Sequence, residues 1–209
     1  MTTTAPAARF EVLHALKVKG LASDDVLSAM SGLTADELTT VLESLTGDGL
    51  ALRRDAGRIS GTMLTPAGRD EYDRLGAGRA VSPEAQQAVA DFYDSFTPVN
   101  TDFKAVCAAW QMRPDGAAND HTDADYDAGV VSDLGAIHER IAVLLDRVGP
   151  AVPRLGRYRD RLAGALGRVQ AGDQGAFARP MYDSYHDIWM ELHQDLLLTA
   201  GRERGAGDE

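Results

Sequence analysis

Apolar residues recur at intervals of three and four along most of the 209-residue chain, and the places where that rhythm stops mark its organisation. Phe10, Leu13, Leu16 and Val18, with Ala15 between them, predict a first helix ended by Gly20. Ser23 is placed to cap a short second helix carrying Val26, Leu27 and Met30, which Gly32 stops. Thr34 and Glu37 have the spacing of a capping box, and Leu38, Val41, Leu42 and Leu45 form the stripe of a third helix over 34–46. Gly47 and Gly49 end it. Residues 50–54 and 62–64 then read as short strands, with Ala56, Gly57 and Arg58 as the turn between them. Thr65 and Pro66 start the next helix, with proline at its first position.

The segment GAGRAVSP, 76–83, is small and polar enough to be a linker, dividing the chain into domains over 1–78 and 84–205. Beyond it the rhythm is helical throughout. One helix is predicted over 83–96, with Ala85, Val89, Phe92 and Phe96. A second spans about 100–112, with Phe103, Val106, Cys107 and Trp110, and a polar loop covers 113–122. Val130, Leu134, Ile137, Ile141, Leu144 and Val148 alternate spacings of four and three, a heptad-like seam for a long helix over about 126–148, closed by Gly149 and Pro150. Further helices are expected over 153–169 and 180–201, the last carrying Tyr182, Tyr185, Trp189, Leu192, Leu196 and Thr199, and the tail 203–209 is expected to fray. The predicted class is mostly α. Four or five such helices can enclose one bundle core behind the smaller amino-terminal domain.

The order capped helix, glycine stop, strand, turn, strand and proline-started helix, and in particular GDGLALRRDAGR followed by LTPAGRDEYDRL, resembles the MarR-type winged helix-turn-helix regulators over roughly the first third of the chain. The resemblance implies a small β-hairpin wing, a recognition helix over 34–46, and wing contacts to DNA from Arg53, Arg54 and Arg58. The outward positions of that helix depart from the pattern: Asp36, Glu37, Thr39, Thr40, Glu43 and Ser44 include neither lysine nor arginine. Asp36 and Glu37 suit a helix N-terminus, whereas Glu43 would be repelled by phosphate. Thr39, Thr40 and Ser44 remain able to hydrogen-bond bases. Arginines flanking a wing also serve as solvated strand-edge charges, and an acidic third helix suits protein docking as well as it suits DNA.

Charge sharpens that tension. The net charge of −11 is uneven: residues 1–80 hold 9 Lys+Arg against 11 Asp+Glu, or −2, and residues 81–209 hold 12 against 21, or −9. A protein that grips phosphates presents a basic footprint, and this chain has none globally. No apolar run is long enough to span a bilayer, and the first ten residues lack a signal-peptide pattern, so a cytoplasmic protein is expected. One cysteine excludes an internal disulfide.

Several bundle residues are candidates for ligand chemistry. His138, His186 and His193 lie on the long and last helices, His186 and His193 two turns apart, with Asp183, Asp187 and Glu191 nearby. They could converge on a metal, but no HxxxH or repeated ExxH is present, and histidines bonded to tyrosines or carboxylates are the plainer expectation. No metal or cofactor is predicted. Segment 119–127 is rich in aspartate, yet counted from Asp123 the sixth and twelfth positions are Ala128 and Leu134, which an EF-hand does not allow. A helix start is expected there instead. Arg154, Arg157, Arg161 and Arg168 fall at 0, +3, +7 and +14, one stripe beside Arg159 that can hold a carboxylate or phosphate, or pair with acids of its own domain. Trp110, Trp189, Tyr182, Tyr185 and Phe103 can line a pocket or simply fill the core. Cys107 shares a stripe with Phe103 and Trp110 and should be buried and inert. No catalytic triad, phosphate loop or dinucleotide fingerprint occurs.

The strings AAWQMR, NDHTDADYDAGV and DSYHDIWMELHQDLL resemble a helical region associated with actinobacterial pyruvate phosphate dikinase-type proteins, a likeness that spans most of the chain. The chain lacks the Gly-rich nucleotide site and phosphohistidine segment of those enzymes, so the likeness implies an accessory or regulatory role. Three readings follow: a dimeric winged-helix regulator with a helical domain that senses a small-molecule effector; a protein-docking accessory of a metabolic enzyme; and a bundle binding a small molecule or metal through His138, His186 and His193. The first two need no active site, and the third includes a bundle enzyme using those histidines or a pocket lined by the tryptophans.

Overall fold

A computed structural model describes residues 4–56, 59–79 and 81–202, which divide into two compact units, Met1–Val81 and Ser82–Glu209. The expected turn residues Gly57 and Arg58 and the tail 203–209 lie outside the described residues.

The first unit runs α1 (Thr4–Lys19), β1 (Leu21–Ala22), α2 (Asp24–Ser31), α3 (Ala35–Gly47), β2 (Ala51–Ala56), β3 (Ile59–Leu64) and α4 (Pro66–Ala77). The strands form an antiparallel sheet in the order β1-β3-β2, in which Arg53 pairs with Thr62 and Leu21 with Met63. Three helices and this hairpin are the winged-helix arrangement. Strand β1 was not foreseeable, because two residues leave no alternation to read. Ser23, Thr34 and Thr65 cap their helices as their spacing predicts, and Thr34 and Glu37 form the full capping box. Leu13, Leu16, Leu27, Leu38, Leu42, Leu45 and Leu64 are buried where the elements meet. Gly68 is required: a Cβ there would stand 1.9 Å from the Leu50 carbonyl oxygen, so only glycine lets α4 pack on the start of the wing.

The second unit holds α5 (Pro83–Gln111), α6 (Ala124–Val148), α7 (Pro153–Gly156), α8 (Tyr158–Gln170), α9 (Gly175–Ala178) and α10 (Tyr185–Ala200). The four long helices form a closed ring of neighbours, α5 on α6, α6 on α8, α8 on α10 and α10 on α5. Its core is Phe96, Phe103, Leu134, Ile141, Tyr185 and Trp189.

The wing strands run longer than expected, with Ala56 in β2 and not in the turn, and three helices of the second unit also differ from expectation. The helices expected over 83–96 and 100–112 are one, and Pro98 lies inside it. Proline removes a helical hydrogen bond, but Phe96, Val99, Asn100 and Phe103 around it all bury against the bundle, and that burial outweighs the local break. The helix expected over 153–169 is broken at Arg157 into α7 and α8, where Gly156 passes within contact distance of Gly149. The last helix begins at Tyr185, capped by Ser184, because Met181 and Asp183 adopt left-handed backbone that no helix continues through.

Candidate functional site

Helix α3 owes its position to Leu38, Leu42 and Leu45, which are buried and turn Asp36, Thr39, Thr40, Glu43 and Ser44 outward. The hydroxyls of Thr39 and Thr40 donate to the carbonyls of Ala35 and Asp36, each at 2.9 Å. Their protons are thus committed to the helix, while their oxygens keep free lone pairs. Ser44 Oγ accepts from Arg9 Nη1 at 2.8 Å, and Arg9 Nη2 reaches Asp48 Oδ2 at 2.6 Å. Arg9 is a cation beside this face that sequence reasoning missed. It comes from α1, 35 positions before Ser44, and no local spacing announces it. Glu37 is held below the usual carboxylate range, chiefly by the backbone N–H of Thr34, so its charge persists.

The wing presents Arg53 and Arg54 from β2, both exposed. Arg53 Nη2 donates to Asp24 Oδ2 at 2.7 Å across the gap to the start of α2. Asp24, Asp25, Arg53, Arg54, Asp55 and Ser60 line an open polar cleft of about 310 Å³. Arginine and aspartate alternate here, so the base of the wing is mixed in sign, not basic. Arg58, the third expected wing contact, lies outside the described residues.

In the second unit the arginine stripe is engaged by its own domain. Arg154 donates to Asp195 at 3.0 Å and to the Thr199 hydroxyl at 2.8 Å, and Tyr158 donates its phenolic proton to the other Asp195 oxygen at 3.1 Å. Arg161 joins Glu191 at 2.7 Å and Asp183 at 2.6 Å. Burial alone would weaken the Arg161 cation, but these two carboxylates raise its pKa above the ordinary value. Burial and the facing carboxylates push the Tyr158 phenol well up, so it stays protonated as a donor. Arg168 binds the backbone carbonyls of Tyr182 and Asp183 and holds that left-handed segment to α8. Arg157 stands half-buried at the α7–α8 break.

The three bundle histidines meet different partners. His138 Nδ1 lies 3.3 Å from the Tyr185 hydroxyl. His186 stacks on Phe103, and His193 is buried against Phe96. Among the described residues no three His, Cys, Asp or Glu side chains are grouped to hold a metal ion. Trp189 is fully enclosed, stacked on Phe96 and Phe103, with its Nε1 donating to Asn100 at 2.8 Å. Trp110 lies flat on Phe177 with centroids 4.3 Å apart. Tyr182 is partly exposed between Arg168 and Arg179. Burial pushes the Cys107 thiol up to about 12, which makes it a poor nucleophile. The aspartate-rich segment is a local clasp: Asp123 caps α6 and binds Arg113, while Asp127 takes Asn119 and His121.

The expected ligand-binding residues therefore fall into three separate places: Trp110 against Phe177, the Arg161–Tyr182 end, and the His138–His186–Trp189 core. Among the described residues no helix is long and apolar enough to cross a membrane. Compared with protein-family models, with curated proteins and with solved structures, the chain matches none.

Proposed function

We propose that the chain is a winged-helix transcriptional regulator of MarR-like type, with α3 in the major groove of DNA and the β2–β3 wing along the backbone. The observation that carries this reading is the state of Arg53 and Arg54: both project from the wing into solvent, and Arg53 is held by a single exposed pair with Asp24. Such a pair contributes about 0–1 kcal/mol. A phosphate offers the same charge-assisted bond and releases condensed counterions, so exchange of Asp24 for phosphate is favourable at low salt. In the groove, Thr39 and Thr40 present acceptor oxygens to base amino groups. The helical unit is the regulatory half, receiving a small-molecule effector or a protein.

Anisotropy of a labelled duplex titrated at several salt concentrations tests this. Binding should fall log-linearly with salt, and the Arg53→Ala/Arg54→Ala double variant should lower the slope by about two. Absent or salt-insensitive binding, to the region upstream of its own gene and to random duplex alike, removes the reading.

A second reading has its own observation: α3 exposes Asp36, Glu37 and Glu43 and carries no cation. That face suits a basic protein surface, on which this chain would act as an accessory of a metabolic enzyme. Glu43→Lys separates the two by sign. It should strengthen DNA binding by removing a repulsion, and it should abolish docking.

A further inference from the structure

On the outside of the bundle, between α5 and α6, two adjoining cavities of about 250 and 430 Å³ share Ser95 and Leu144 and make one groove. Its floor is apolar. Phe92 and Val99 are buried in it, and Val143 stands 48 % exposed at its rim. Its α5 wall is acidic, with Asp91 in the groove and Asp102 at its edge; its α6 wall carries Glu139 besides Arg140 and Arg147 and is net positive, and one pair is already closed across the groove between Arg140 and Asp102 at 2.6 Å. The remaining sides of these helices are taken, α5 by α10 and α6 by α8.

We infer that this face is where two copies of the chain pair, about a two-fold axis running parallel to the helices. That axis lays α5 of one copy over α6 of the other at the same height. Asp91 and Asp102 of each copy then meet Arg147 and Arg140 of the other, and the two Val143 side chains leave water together. A two-fold across the helices would instead stack α6 on α6 and bring arginines against arginines, so the charge pattern selects the first axis. Size agrees as well. The 25 residues of α6 give a face about 38 Å long, and two helices side by side are about 20 Å wide, on the order of 750 Å². A stable interface takes about 800 Å² from each partner. The pairing stands apart from DNA binding, and its test is read without DNA.

Sedimentation velocity of the full chain across a range of concentrations is the experiment. The expected result is a concentration-dependent dimer that Val143→Glu weakens roughly tenfold or more. Asp91→Lys/Asp102→Lys makes both walls basic, and Arg140→Glu/Arg147→Glu makes both acidic. Each should be monomeric alone, and an equimolar mixture should dimerise again. Val143 is half exposed, so its substitution tests the face even if a charge variant fails to fold. A wild-type monomer at every concentration overturns the inference. So does a dimer indifferent to Val143→Glu and to both charge sets, as docking of some other protein here would give, or a mixture that stays monomeric.

Discussion

Arg53 on the wing and Arg161 in the bundle make nearly the same bond, yet their surroundings give them opposite jobs. Arg53 meets Asp24 at 2.7 Å with its side chain 61 % exposed, and Arg161 meets Asp183 at 2.6 Å and Glu191 at 2.7 Å with only 7 % exposed. Bond length does not distinguish them; water does. An exposed pair is screened and exchangeable, and a buried pair that loses one member leaves an uncompensated charge in a poorly solvated place. The wing arginine is thus free to change partner, and the bundle arginine is part of the fold.

The largest effect expected follows from that contrast. Arg161→Met should destabilise the second unit by about 3–5 kcal/mol, since it removes a buried cation that joins both Glu191 and Asp183. At about 2–4 °C per kcal/mol for a chain of this size, the thermal midpoint should fall by roughly 10 °C. Adding Glu191→Leu should recover most of the loss. Arg53→Ala should change stability by about 0.5 kcal/mol or less. Equal losses from Arg53→Ala and Arg161→Met in calorimetry would break the comparison.

The next effect lies in the first unit and sharpens the division between the two. Gly68→Ala drives a Cβ into the Leu50 carbonyl and should cost about 1–3 kcal/mol as α4 shifts off the wing. Both tryptophans, Trp110 and Trp189, belong to the second unit. Ellipticity should therefore show the destabilised transition while tryptophan fluorescence moves less. A smaller loss, about 1 kcal/mol, is expected for Thr34→Ala, which removes the hydroxyl that caps α3 and donates to Glu37, leaving Glu37 the backbone N–H of residue 34. Thermal melts of Thr34→Ala and Thr34→Ser, with serine near wild type, check that assignment.

How far the residues alone reach can be argued from these same elements. Caps, stripes and glycine stops are local, so α2, α3 and α4 and the wing strands stand close to where spacing puts them. The seam of α6 is equally plain, because Val130, Leu134, Ile137 and Ile141 are buried in sequence order. What escapes is whatever depends on distant packing. Pro98 reads as a helix boundary until the apolar face on both sides of it is seen buried against one core. The Arg9–Ser44–Asp48 contact, the His14–Tyr72 pair at 2.9 Å and the Arg161–Glu191 pair join residues tens of positions apart, and a single sequence carries no sign of them. The histidines were visible as candidates, but only the fold separates them onto Tyr185, Phe103 and Phe96. The acidity of α3 was fully legible, and it is what leaves DNA and protein as rival partners for that face.

The smallest effect expected is a pH dependence confined to the bundle. His138 and His186 are each about half buried, and burial holds both imidazoles below the ordinary value, more than Glu139 and Asp187 beside them restore it. In the unfolded chain both take up protons near pH 6.5, while the folded bundle resists until lower pH. Below that pH the unfolded state binds more protons, so stability is fully present above about pH 6.5 and declines as the pH falls below it. The wing strands, by contrast, contain no histidine. The double variant His138→Gln/His186→Gln should flatten the acid side of a plot of thermal midpoint against pH, and tryptophan fluorescence should register the change because both tryptophans lie in the bundle. An unchanged slope would mean that both rings take up their protons in the folded bundle as readily as in the open chain. Burial would then not be what separates the chemistry of the two units.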